Sequence, residues 1–182
     1  MNCLMCPRKC NVDRKQGFGF CQSPETIKIA RAALHFWEEP CISGKSGSGA
    51  IFFSGCNMKC VYCQNYEISK NNKGAEISEK RLIEIFDELL EQGANNINLV
   101  NPTHYALQIK TAIQKWGKKL PIVYNCSGYE SVETLKQLEG IIDIYLPDLK
   151  YIRNDKAKRY SNSEDYFQVA TNAISEMKRQ IP

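Results

Sequence analysis

The stretch Cys56-Asn57-Met58-Lys59-Cys60-Val61-Tyr62-Cys63 sets three thiols at offsets of four and three. A single loop with that spacing can wrap one [4Fe-4S] cubane, each thiolate holding one iron while the fourth iron keeps no protein ligand. The open iron is where chemistry would occur. The amino and carboxylate groups of S-adenosylmethionine can chelate it, and an electron from the cluster can then break the sulfonium bond to give a 5′-deoxyadenosyl radical. Cys56, Cys60 and Cys63 are therefore the candidate catalytic and metal-ligating residues. Zinc is the blander alternative, because Cys60 and Cys63 have the C-x-x-C spacing of half a zinc site, although a structural zinc asks for four protein ligands. Tyr62, the aromatic residue just before the last cysteine, is a candidate to pack on an adenine, with ordinary loop packing as the competing role.

A second set, Cys3, Cys6, Cys10 and Cys21, lies in a segment that otherwise lacks a hydrophobic core. Four thiolates can close a coordination shell, as in zinc modules or fully ligated iron-sulfur clusters, and a closed shell leaves no position for a substrate. The spacing is compatible with zinc or a second cluster in a structural or electron-relay role. Cys41 and Cys126 have no partner spacing and read as small buried hydrophobes. His35 and His104 read as hydrogen-bonded packing residues rather than proton carriers.

The order of the remaining sequence says what must position these groups. Residues 1–48 hold the second cysteine set, several Gly and Ser and little periodicity, so they are expected to form an irregular Cys-rich segment. From residue 49 to 182 apolar runs alternate with amphipathic stretches. Runs at 50–53, 97–100, 122–124 and 141–146 read as buried strands. A helix expected over 78–92 carries Leu82, Ile83, Phe86, Leu89 and Leu90 on one face and stops at Gly93. A second over 104–116 uses Ala106, Ile109, Ile113 and Trp116, and a third from Ser131 uses Val132, Leu135 and Leu138. The last, after a possible capping pair Ser161 and Glu164, uses Phe167, Ala170, Ile174 and Met177.

This rhythm predicts an α/β fold of parallel β-α units, in which chemistry gathers at the carboxyl ends of the strands. Those ends carry Gly55-Cys56, Asn101-Pro102-Thr103-His104, Asn125-Cys126-Ser127-Gly128 and Asp148-Leu149-Lys150. At roughly 30 residues per unit, about four units fit and a closed barrel does not. The chain is thus expected to be a partial barrel, a C-terminally truncated piece of a longer one or a sheet with an open edge.

Composition narrows the partners. A net charge of +4 with scattered Lys and Arg gives no footprint for nucleic acid, and no apolar run approaches the ~20 residues of a membrane span. The first residues lack the apolar core of a secretory signal, so a cytoplasmic location is expected, where nine cysteines are better explained by metal ligation than by disulfides. Residues 43–49, which include Gly44-Lys45-Ser46, are not a phosphate loop: the upstream glycine is missing and the segment precedes a strand instead of following one. A flexible turn is the better account.

The run Cys56–Cys63 followed by Gln64-Asn65 resembles the radical SAM superfamily. The stretches at 35–40 (HFWEEP), 51–56 (IFFSGC), 96–105 (NINLVNPTHY), 124–130 (YNCSGYE) and 143–150 (DIYLPDLK) further resemble uncharacterised proteins similar to pyruvate formate-lyase activating enzyme, the PflX type. The resemblance implies a partial (β/α) TIM-type barrel, a [4Fe-4S] cluster, S-adenosylmethionine and an oxidoreductase that activates a glycyl radical protein. It also implies a reductant such as flavodoxin or ferredoxin. Members of the family are usually longer, with later strands that help to hold the adenosine. The resemblance nominates Asn98, Asn101 and Thr103 near the methionine amino group, where many members carry Gly-Gly-Glu. Asp148 and Lys150 match an Asp-x-Lys of activating enzymes, with a surface ion pair as the competing role, and Asn125 joins them as a cofactor-binding candidate at a strand end. A second class stays open: a non-catalytic cysteine-rich metal-binding module, or an inactive fragment.

Overall fold

A computed structural model describes residues 3–181. Strand β1 (Lys28–His35) leads through the short helix α1 (Pro40–Ser43) into β2 (Ser48–Phe53). Helix α2 (Tyr66–Ser69), the two-residue strand β3 (Ala75–Glu76) and α3 (Glu79–Glu91) follow. Then come β4 (Ile97–Val100), a 3-10 turn (Thr103–Tyr105) running into α4 (Ala106–Trp116), β5 (Ile122–Cys126) and α5 (Val132–Gln137). Strand β6 (Ile144–Pro147) and helices α6 (Asn154–Ser161) and α7 (Tyr166–Gln180) complete the described residues.

The strands form one six-stranded mixed sheet in the order β3-β1-β2-β4-β5-β6. Strands β2, β4, β5 and β6 run parallel, each joined to the next through at least one helix, whereas β1 is antiparallel to both its neighbours. Because strand side chains alternate between faces, the two sides of this sheet do different work. Ile51, Phe53, Ile97, Leu99, Ile122 and Tyr124 bury against Leu82, Phe86, Leu89, Ile109, Ile113 and Met177 of the helical layer. The alternate residues Phe52, Val100 and Asn125 stay half-buried on the opposite face, where the candidate site opens.

Helices α3 and α5 begin as expected. Ser78 Oγ accepts from Arg81 N at 3.1 Å and Ser131 Oγ from Thr134 N at 3.4 Å, so each serine hydroxyl satisfies one of the free amides of a first turn. Helix α3 ends at Gly93, whose φ of +83° suits a residue without Cβ.

Four expectations need correction. Cys41 is exposed and not a buried hydrophobe. Residues 28–35 form strand β1 and are not irregular. That strand is half-buried at every position but the exposed Arg31 and its register shifts between Ile29 and Arg31, so neither an apolar run nor a clean alternation marks it. Helix α6 carries no apolar stripe, since its buried residues are only Ala157 and Ser161. Ser161 therefore closes α6 and does not cap α7. The buried face of α7 starts from Tyr166 and runs through Ala170, Ala173 and Met177, leaving Phe167 exposed, because the helix begins two residues past Glu164.

Candidate functional site

The three spaced cysteines sit on the loop that leaves the carboxyl end of β2, and the turn that starts this loop is held from four directions. Gly55 has a φ of +87°, its N–H donates to Ile68 O at 3.0 Å, and its carbonyl accepts from Asn101 Nδ2 at 2.6 Å. The preceding carbonyl, Ser54 O, accepts from His104 Nε2 at 2.7 Å and from Ser23 Oγ at 3.3 Å. Asn57 is fully buried; its Nδ2 donates to Tyr129 O at 2.7 Å and its carbonyl accepts from Arg8 Nε at 2.8 Å. Further along, Val61 N donates to Tyr160 O at 2.9 Å.

Each sulfur has its own donor. Met58 N lies 3.3 Å from Cys56 Sγ, Ser69 Oγ lies 3.2 Å from Cys63 Sγ, and Ser161 Oγ lies 2.9 Å from Cys60 Sγ. The last of these ends a chain in which Tyr62 OH donates to Tyr151 OH at 2.6 Å and Tyr151 meets Ser161 Oγ at 2.6 Å. Burial, reinforced by the neighbouring Cys60 and Cys63, pushes the Cys56 thiol up to about 11.

Among the described residues no group of three or more His, Cys, Asp or Glu side chains is gathered as a single metal ion would require. A lone zinc, with sulfurs at about 2.3 Å, needs tighter crowding than a cubane that places a separate iron at each sulfur. The three-cysteine loop, with its donors to sulfur and no fourth ligand of its own, fits a [4Fe-4S] cluster better than zinc. Of the N-terminal set, Cys6 is buried and its thiol is pushed up to about 12, first by burial and then by the charges of Cys21, Glu130 and Cys10. Cys10 Sγ accepts from Phe20 N at 3.3 Å, and Cys3 faces a different cavity.

Cys56, Cys60, Cys63, Tyr62, Asn101, Asn125, Asp148 and Lys150 all line one cavity of about 580 Å³. That size suits a nucleoside-bearing ligand, within the range of 300–1,000 Å³ common for small-molecule sites. Asp148 and Lys150 form an ion pair in which burial opposes the lysine's charge but the carboxylate prevails, holding its pKa above the ordinary value. Two candidates lie outside the cavity wall. Thr103 is fully buried, its hydroxyl donating to Glu130 Oε1 at 2.7 Å on the helical side. Asn98 is buried behind the wall, its Nδ2 donating to Glu38 Oε2 at 2.9 Å.

His35, Trp37, Glu38 and Cys126 also line the cavity and were not foreseen as site residues. Cys126 was legible in principle as a strand-end residue; the other three come from β1 and the loop after it, which the sequence pattern hid. His104 is a packing residue, as its apolar setting suggested: burial pushes it down to about 3, so the neutral ring donates from Nε2 to Ser54. A larger cavity of about 1030 Å³ lies between the N-terminal segment and α3, α4 and α5, away from the three-cysteine loop.

A mixed α/β sheet with a three-cysteine loop at the end of its first parallel strand defines a class of cluster-bearing proteins that open a ligand cavity on the sheet. The radical SAM superfamily matches residues 50–182, and the chain belongs to that superfamily. It is also 33% identical over 177 residues to an uncharacterised protein of Methanocaldococcus jannaschii, covering 92% of this chain and 51% of that relative. The chain thus spans about half the length of the relative it matches. No helix among the described residues is long and apolar enough to cross a membrane.

Proposed function

We propose that the chain is a radical SAM enzyme that cleaves S-adenosylmethionine reductively, of the pyruvate formate-lyase activating, PflX-like kind. The observation that carries this reading is the opening of Cys56, Cys60 and Cys63, each sulfur with its own hydrogen-bond donor, onto one cavity large enough for the nucleoside. The parallel strands β2, β4, β5 and β6 are then part of a (β/α) TIM-type barrel, with the cavity on its inner face. A [4Fe-4S] cluster on the three cysteines, when bound, supplies the electron and the open iron for splitting S-adenosylmethionine to a 5′-deoxyadenosyl radical.

The protein's own side chains bind and orient. Tyr62 is half exposed and fixed edge-on to Tyr151, with ring centroids 6.3 Å apart, so its free face is available to the adenine. Lys150, kept charged by Asp148, offers an ammonium to the methionine carboxylate or a ribose hydroxyl. Asn101 is spent on Gly55 and acts by fixing the turn before Cys56. The radical's target is a glycine in a glycyl radical protein, with flavodoxin or ferredoxin as reductant, and the Cys3, Cys6, Cys10 and Cys21 group is a second cluster site, since among the described residues the crowding a lone zinc needs is lacking there too.

Anaerobic reconstitution tests the reading. The loop should take up about four irons, its EPR spectrum should change when S-adenosylmethionine is added, and dithionite should then yield 5′-deoxyadenosine. Cys60→Ser should abolish the loop cluster and the product while the circular dichroism of the fold is kept; undiminished 5′-deoxyadenosine from that variant rules the assignment out.

A further inference from the structure

Glu38 reaches the cavity from the loop after β1, and its surroundings are those of a binding group. One carboxylate oxygen, Oε2, accepts two hydrogen bonds at 2.9 Å, from Asn98 Nδ2 on β4 and Asn125 Nδ2 on β5. The other oxygen has no partner among the described residues. Asn98 Oδ1 is also unpartnered, although Asn98 is fully buried. The cavity's other charged side chains, Asp148 and Lys150, neutralise each other, whereas Glu38 joins no ion pair among the described residues.

Anchoring the loop does not account for this arrangement. The loop is already tied down through Asn95 Nδ2 to Ser43 O at 2.6 Å, Asn96 Nδ2 to Ile42 O at 2.8 Å, and Glu38 N to Ser43 Oγ at 2.9 Å. A neutral glutamine would serve an anchor as well, without an unneutralised charge.

We propose that Glu38, oriented by Asn98 and Asn125, recognises a cationic nitrogen group of the substrate, a guanidinium or a primary ammonium, on the floor of the cavity. Such a group brings what this part of the cavity lacks: positive charge and N–H donors for Glu38 Oε1. The inference rests on the reading of the cavity as the reaction site. It names the chemistry of the substrate end, opposite in sign to the ammonium of Lys150.

The test measures equilibrium binding of blocked tripeptides to the cluster-loaded full chain with S-adenosylmethionine, at physiological salt. Acetyl-Gly-Arg-Gly-amide is compared with its citrulline counterpart, and acetyl-Gly-Lys-Gly-amide with its acetyl-lysine counterpart. At least one cationic peptide should bind about tenfold or more tighter than its neutral partner, the range of a charge-assisted hydrogen bond, and which pair shows the contrast separates guanidinium from ammonium. Glu38→Gln should erase that contrast and Glu38→Asp should keep part of it. Equal binding within both pairs on the wild-type chain overturns the proposal, as does a contrast that persists undiminished in Glu38→Gln. Failure of the enzymatic reading is seen separately, as no change in the EPR spectrum on adding S-adenosylmethionine.

Discussion

Glu130 is a buried carboxyl pushed up to about 7 by burial, against the donors Thr103, Tyr124 and Cys126 that favour its charge. The folded state holds its proton more tightly than the unfolded chain does. Its contribution to stability is therefore complete below about pH 4.5 and is lost as pH rises to about 7, a change of about 3 kcal/mol. Chemical denaturation of the cluster-loaded chain between pH 5.5 and 8 should show wild type losing stability relative to Glu130→Gln, and a pH-independent difference would remove Glu130 as its source. At this scale the sequence was legible where chemistry depends on spacing alone. Three cysteines four and three apart announce one loop site wherever they fold. Thr103 was not legible, because closeness to a strand end does not say which side of the sheet a hydroxyl faces. Glu130 takes it on the helical side.

Among the elements, the connection from β2 to the cysteine loop is closely packed. Gly55 combines a φ of +87° with close packing: a Cβ there would overlap Ser23 Oγ and lie 2.8 Å from Cys21 O. A side chain costs about 1–2 kcal/mol for the left-handed backbone alone, and relief of the overlap has to push residues 21–23 away from the turn. Gly55→Ala should therefore lose both stability and iron, the iron through displacement of Cys56, with metal content per chain as the measurement; full iron loading would contradict the packing. The amphipathic helices α3 and α4 were readable because each buries one continuous stripe. Strand β1 and helix α6 were not, because tertiary contacts and not periodicity define them: β1 is half-buried at every position but the exposed Arg31, and α6 buries only Ala157 and Ser161, against the cysteine loop and α7. What the sequence hid in β1 was also what hid Glu38.

In the whole molecule, one arginine joins three parts that are distant in sequence. From the N-terminal segment Arg8 donates to Asn57 O of the cysteine loop at 2.8 Å, to Ser161 O at 3.1 Å and to Ser163 Oγ at 2.7 Å, and it also bonds Asn162 O. Its guanidinium lies 4.0 Å from the ring centroid of Phe20, which fixes the segment against the same point. Ser161 in turn donates to Cys60, so the N-terminal segment and the cysteine loop share one hydrogen-bonded support. Arg8→Ala leaves part-buried carbonyls without donors, at a cost of about 3 kcal/mol, which lowers the melting temperature by about 6–12 °C for a chain of this size. Arg8→Lys should recover only part of that loss, since an ammonium lacks the planar fork that spans several acceptors. Limited proteolysis of the cluster-loaded chain discriminates a shared support from a merely local contact. Cleavage within residues 3–24 and release of iron should accelerate together in Arg8→Ala, and cleavage that accelerates while iron is retained would show the two parts to be independent.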